Sequence, residues 1–149
     1  MPLAFRAVGA DILMQSIRKF LKTVGTTNTA LIRHLSFQME DATPCLNPDS
    51  MSHSERRFVH DDALMSVLRH LGDHAQLQTL KLSFHGRRRV ETSDDRFLAY
   101  MKRIKADTVE VVKFPIGRPD SVWSQESKQE ETVRKMLLKV MVRKQKLYE

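Results

Sequence analysis

Hydrophobic and polar positions recur along this chain in a unit of three parts: an amphipathic helix, a short polar turn, and a strand that ends in an aromatic residue. The three versions read FLKTVGTTNTALIRHLSF, VLRHLGDHAQLQTLKLSF and YMKRIKADTVEVVKF, and they end at Phe37, Phe84 and Phe114. Helix–strand units in series build a parallel sheet with a helical layer. The pattern therefore predicts an α/β fold.

Apolar residues at helical spacing predict four helices. These cover residues 11–24, 61–70, 94–105 and 123–146. Gly25 and Gly72 are expected to end the first two, because glycine favours the position after the last helical residue. Asp61 or Asp62 is expected to cap the start of the second helix.

Strands are predicted at 31–39, 77–84 and 108–114. In the first two, apolar residues on one face alternate with His34, Ser36, Lys81 and Ser83 on the other. A parallel sheet covered on both faces would show nearly continuous apolar runs. We therefore expect a small, open, mainly parallel three-stranded sheet with helices mostly on one face, followed by a long C-terminal amphipathic helix.

Size and composition indicate one domain over residues 1–149, since 41% of the residues are hydrophobic. Residues 40–59 are predicted as a long loop, and 115–122 as a linker to the C-terminal helix 123–146.

The basic, amphipathic N-terminus fits a first structural helix and also a mitochondrial presequence. No apolar stretch approaches the roughly 20 residues that span a bilayer. The single cysteine, Cys45, cannot form an intramolecular disulfide, so we expect a cytoplasmic or nuclear protein.

The segment Leu77-Gln-Thr-Leu80-Lys-Leu82 matches the strand core of leucine-rich repeats, L-x-x-L-x-L. Over roughly residues 20–114, the helix–strand units resemble the irregular repeats of fungal F-box-like and leucine-rich-repeat-like proteins. The resemblance implies a repeat fragment that binds a protein through its polar strand face and loops. No F-box motif stands in the N-terminal part, so docking to a ubiquitin-ligase adaptor is not implied.

Two basic segments are candidate binding sites. Arg87, Arg88 and Arg89 follow the second strand, and ligands of open α/β sheets gather beyond the carboxyl ends of the strands. The three arginines would bind a phosphate or carboxylate, or would pair with nearby acids in a solvated turn. The formal net charge is +7, and the C-terminal helix adds Arg134, Lys135, Lys139, Arg143, Lys144 and Lys146. A basic amphipathic helix binds nucleic acid, membranes or acidic grooves, or packs on the sheet as a cap.

Catalytic and metal motifs do not stand out in the sequence. The six histidines include His70 and His74, four residues apart, but a helix that ends at Gly72 would not present them on one face. The acid pairs Asp61–Asp62 and Asp94–Asp95 fit helix starts. The sequence contains no glycine-rich nucleotide loop and no hydrolase nucleophile motif. We therefore expect no enzyme activity, no cofactor and no metal.

The leading functional hypothesis is a protein-interaction module. Its binding surface would comprise Arg33, His34, Ser36, Lys81, Ser83 and Arg87 to Arg89. Unpaired sheet edges would also allow association into a homo-oligomer. The alternative hypothesis is that the basic C-terminal helix binds nucleic acid or another anionic surface.

Overall fold

In the part of the chain that the structure describes, four strands alternate with four helices. The computed structural model describes residues 2–8, 12–41, 57–85, 90–112 and 128–148. The elements are β1 (Pro2–Val8), α1 (Ile12–Thr29), β2 (His34–Glu40), α2 (Asp62–His74), β3 (Leu77–His85), α3 (Asp95–Arg103), β4 (Ala106–Val112) and α4 (Lys128–Met141). A short 3₁₀ helix, Phe58–His60, precedes α2.

The strands form one parallel sheet in the order β1-β2-β3-β4. The α/β class is therefore confirmed, but the prediction of three strands is wrong. The additional strand is β1, whose seven residues pair in parallel with β2 from Pro2 opposite His34 to Val8 opposite Glu40. Its sequence, PLAFRAV, holds a single β-branched residue, so strand propensity is weak and the pairing with β2 determines the conformation.

A single hydrophobic core lies between the sheet and the helices. All four helices contribute buried side chains to it, among them Leu21 of α1, Leu68 of α2, Phe97 of α3 and Leu137 of α4. The sheet contributes alternate residues, as in β2, where every second side chain is buried. The helices thus share one face of the sheet.

Glycines act differently in the first two helices. At Gly25 the backbone leaves the helical region (φ 76°, ψ 174°) and α1 is kinked, after which one further turn continues to Thr29. At Gly72, by contrast, α2 continues to His74. The prediction that Gly72 ends the helix is wrong, because this glycine lies where α2 meets the end of α3. A Cβ built on Gly72 would lie 2.9 Å from the Cβ of Arg103.

The C-terminal helix is shorter than predicted. It ends at Met141 rather than at residue 146, since Val142 forms a parallel bridge with Ala106 at the start of β4. The backbone N–H of Arg143 then donates to the carbonyl of Ala106 at 2.9 Å. The predicted linker 115–122 and helix start at 123 lie outside the described residues.

Part of the predicted loop 40–59 belongs to the core. Glu40 ends β2, and residues 42–56 lie outside the described part of the chain. Phe58 and Val59 are buried, and the Phe58 ring stacks on Phe84 with centroids 6.0 Å apart.

None of the helices in the described ranges combines the length and apolar character that crossing a membrane requires.

Candidate binding surface

The face of the sheet turned away from the helices is lined mainly by polar side chains. We call it the open sheet face. It comprises Ala4, His34, Ser36, Gln38, Glu40, Thr79, Lys81, Ser83, Thr108, Glu110 and Val112, all of them exposed or half-buried. The register brings together four residues that the sequence predicted for it, His34, Ser36, Lys81 and Ser83.

Cross-strand rows organise this surface. One row places Lys81 between Ser36 of β2 and Glu110 of β4. In the row before it, the His34 ring nitrogen Nδ1 lies 2.8 Å from the Thr79 hydroxyl. Lys81 is therefore the central cation, with hydroxyls and a carboxylate around it. Such a surface presents hydrogen-bonding groups and has little net charge.

Sequence reasoning missed more than half of the open sheet face. The missed polar residues are Gln38, Glu40, Thr79, Thr108 and Glu110. The alternation of TVEVV in β4 is the same signal that identified Lys81 and Ser83 in β3, and it would have found Thr108 and Glu110. Gln38 and Glu40 continue the face of β2, where the Gln38 amide donates to the Glu40 carboxylate.

Arg33 lies at the amino edge of the sheet, one residue before β2 begins. Its guanidinium carbon is 4.8 Å from the centre of the Tyr148 ring, within range of a cation–π contact. The Tyr148 hydroxyl donates to the carbonyl of Gln76 at 2.9 Å. The C-terminal tail, 142–148, thus runs along the amino ends of the strands, and Arg33 contacts it there.

A buried carboxylate anchors this tail. Asp107 is 4% exposed, and it accepts hydrogen bonds from Arg143 Nη1 at 2.9 Å and from the backbone N–H groups of Leu147 and Tyr148 at 3.0 and 2.8 Å. Burial alone would raise the pKa of Asp107, but these donors outweigh it and hold the pKa below its ordinary value. Arg143 also donates to the carbonyl of Leu77 at 2.6 Å. The role of Arg143 is therefore structural.

The basic surface predicted for the C-terminal helix is therefore smaller than expected. Arg143 is bound to Asp107, and Arg134 donates to the carbonyl of Val111 at 3.3 Å and lies 3.5 Å from Glu131. The four lysines of the set remain exposed; they are Lys135, Lys139, Lys144 and Lys146. Lys144 and Lys146 lie in the tail beyond the end of α4 rather than on the helix.

Arg87, Arg88 and Arg89 lie outside the described residues. Near the carboxyl ends of β2 and β3, the described chain holds the segment around the 3₁₀ helix instead. Arg57 makes a two-point ion pair with Asp94, both contacts at 3.3 Å, and the Phe58 N–H donates to the Asp41 carboxylate at 3.0 Å. These contacts attach the segment that leads into α2.

The acid pairs differ in their roles. Asp61 caps α2 as predicted, and its carboxylate accepts from the N–H groups of Ala63 and Leu64. Asp94 precedes α3, but its carboxylate binds the Glu91 N–H at 2.8 Å together with Arg57, without capping the helix.

The histidines His70 and His74 lie on one side of α2, with ring centroids 4.9 Å apart. This proximity follows from the continuation of α2 through Gly72. Among the described residues, no group of three or more His, Cys, Asp or Glu side chains could hold a metal ion.

Comparison with protein-family models, with curated proteins and with solved structures found no match.

Proposed function

We propose that this protein is a non-enzymatic interaction module of leucine-rich-repeat-like type, which binds a protein partner through the open sheet face. The observation that carries the proposal is a parallel sheet whose helices, among the residues that the structure describes, all lie on one face. Parallel sheets are ordinarily covered on both faces, so a face that is lined mainly by polar side chains and carries no helix in the described ranges is a candidate binding surface.

The strand order supports the repeat interpretation. The helices α1, α2 and α3 each return the chain to the next strand in sequence, from β1 to β4, and Val142 begins to extend the sheet beyond β4. Stacked helix–strand units of this kind build the extended binding surfaces of solenoid proteins. The match of Leu77, Leu80 and Leu82 to the leucine-rich-repeat strand core agrees with this order.

The chemistry of the open sheet face indicates the kind of contact. Hydroxyls at Ser36, Thr79 and Thr108 offer donors and acceptors without the entropy loss of ordering long side chains. Lys81 supplies a cation for an acidic group on the partner, and such complementarity mainly determines specificity and the rate of association. The bound partner would lie across the cross-strand rows.

The test is affinity capture from cell extract with matched charge reversals on opposite layers. Lys81→Glu alters the open sheet face, and Lys139→Glu makes the same change on the exposed side of α4. We expect proteins that survive nuclease and salt washing to bind the wild type and Lys139→Glu but not Lys81→Glu. Retention of the same proteins by Lys81→Glu would contradict the proposal, as would a wild type that retains none.

Binding of nucleic acid is the second candidate, because Lys139, Lys144 and Lys146 are exposed and have no ion pair in the described part of the chain. Each phosphate contact releases counterions, so such binding weakens steeply with salt. The triple change of these lysines to serine should abolish it in a fluorescence anisotropy titration with labelled DNA and RNA. Arg143 must be left intact in that variant, because its loss would leave Asp107 buried without its partner. Equal binding by the triple variant would exclude this surface.

A further inference from the structure

His70 and His74 lie where α1 and α2 meet, on the helical layer and away from the open sheet face. They are separated by one helical turn, and both side chains are half-buried. Residues four apart on a helix are neighbours on its surface, and here the ring centroids are 4.9 Å apart. The geometry therefore brings two imidazoles together on one rigid element.

The hydrogen bonding of Thr29 determines the tautomer of His70. The Thr29 hydroxyl, which is fully buried, donates its only hydrogen to the carbonyl of Gly25 at 2.7 Å. It therefore acts as the acceptor in its 2.9 Å contact with His70 Nε2. The hydrogen of neutral His70 is consequently on Nε2, and Nδ1 carries the free lone pair. Histidines that bind metals are held in the same way, by donating the hydrogen of the second nitrogen to a fixed acceptor.

The acid between the two histidines, Asp73, is occupied by other partners. The Asp73 carboxylate is itself engaged by Arg103 at 2.5 Å and lies 3.9 Å from Arg69. A metal ion would thus meet two imidazole nitrogen ligands, which suit late transition metals rather than Mg²⁺ or Ca²⁺.

We propose that His70, through Nδ1, and His74 form a two-histidine site for a divalent late-transition-metal ion such as Ni²⁺, Cu²⁺ or Zn²⁺, with water completing the coordination. Thr29 is the positioning residue of this site. A bound ion would link the last two turns of α2, and it would stabilise the folded state because the unfolded chain does not hold the two rings together.

The test is isothermal titration calorimetry of the full chain with Ni²⁺ and with Zn²⁺, using Mg²⁺ as the hard-ion comparison. We expect one ion per chain and a metal-dependent rise in the melting temperature. His70→Gln and His74→Gln should each weaken binding at least about ten-fold, since each removes one of two ligands. His60→Gln, a change of an exposed histidine outside this pair, should leave affinity unchanged.

A second pair of variants separates positioning from packing. Thr29→Val removes the acceptor for His70 Nε2 at nearly the same volume and should weaken metal binding roughly ten-fold. Thr29→Ser keeps the hydroxyl and should bind the metal as the wild type does. Circular dichroism verifies that each variant is folded. Metal affinity that survives both histidine changes, or a wild type that binds Mg²⁺ as well as Ni²⁺, would overturn the proposal.

Discussion

Replacing Gly72 with alanine tests whether the contact between α2 and α3 outweighs helix propensity. In an exposed helix interior, alanine is more stable than glycine by about 1 kcal/mol. At Gly72, however, the new Cβ would lie 2.9 Å from the Cβ of Arg103 and 3.3 Å from its carbonyl carbon. Neither atom moves with a side-chain rotation, so the two helices must separate.

The size of the effect follows from these opposing terms. Inserting a methyl group into a packed contact costs about 1–3 kcal/mol when backbone must shift. After the propensity gain is subtracted, we expect Gly72→Ala to lower the free energy of unfolding by about 1 kcal/mol. Urea denaturation followed by circular dichroism measures this value, and an unchanged slope would show that the unfolded state is unaffected.

Two controls isolate the contact. Ala99→Gly, at an exposed site inside α3, should cost about 1 kcal/mol and so measures the propensity term in this protein. In a double-mutant cycle, Arg103→Gly removes the opposing Cβ and should recover part of the loss caused by Gly72→Ala. A Gly72→Ala variant about 1 kcal/mol more stable than the wild type would refute the close-approach argument.

Further predictions concern the core, the kink, the cap and the tail. Phe97→Ala should lower the free energy of unfolding by about 3–5 kcal/mol, because this ring is fully buried; a loss under 1 kcal/mol in urea would contradict the packing. Gly25→Ala should lower it by about 1–3 kcal/mol through backbone strain alone, since no atom lies within 4 Å of the new Cβ; an unchanged melting curve would argue against the kink. Asp61→Ala should lower the free energy of unfolding by about 1 kcal/mol in the same urea titration; an unchanged value would show that the cap is dispensable. Because the pKa of Asp107 is lowered on folding, its contribution to the free energy of unfolding is complete above the ordinary value of 3.8 and is lost as the pH falls below it. Asp107→Asn should therefore reduce the loss of stability at acid pH. An identical loss in the variant would show that other carboxylates produce it.

Local signals predicted the elements that depend on neighbouring residues. The alternation in LQTLKLSF placed β3 to within one residue, 77–84 against Leu77–His85, because a half-buried strand repeats every two residues. Asp61 was likewise identifiable as a cap, since a carboxylate before an apolar helical stripe binds the free N–H groups of the first turn. Four residues of the open sheet face follow from the same alternation.

The features that could not be predicted depend on contacts between distant parts of the chain. Gly72 fits a helix stop until Arg103, thirty-one positions later in the numbering, is known to lie against it. Arg143 fits a basic helix face until Asp107 is known to bind it. In both cases the residue type is compatible with a local role, and only the tertiary contact decides otherwise.

The open sheet face and the strand order have one physical origin. When consecutive parallel strands are joined by crossovers of the same hand, every connecting helix falls on the same face of the sheet. The order β1-β2-β3-β4 therefore leaves the other face without a connecting helix among the described residues, and a face in contact with water must be polar. Residues such as Ser36 and Lys81 meet this requirement, whereas the apolar residues a doubly covered sheet carries would not. The alternation along each strand thus indicates the open face even where it does not reveal the number of strands.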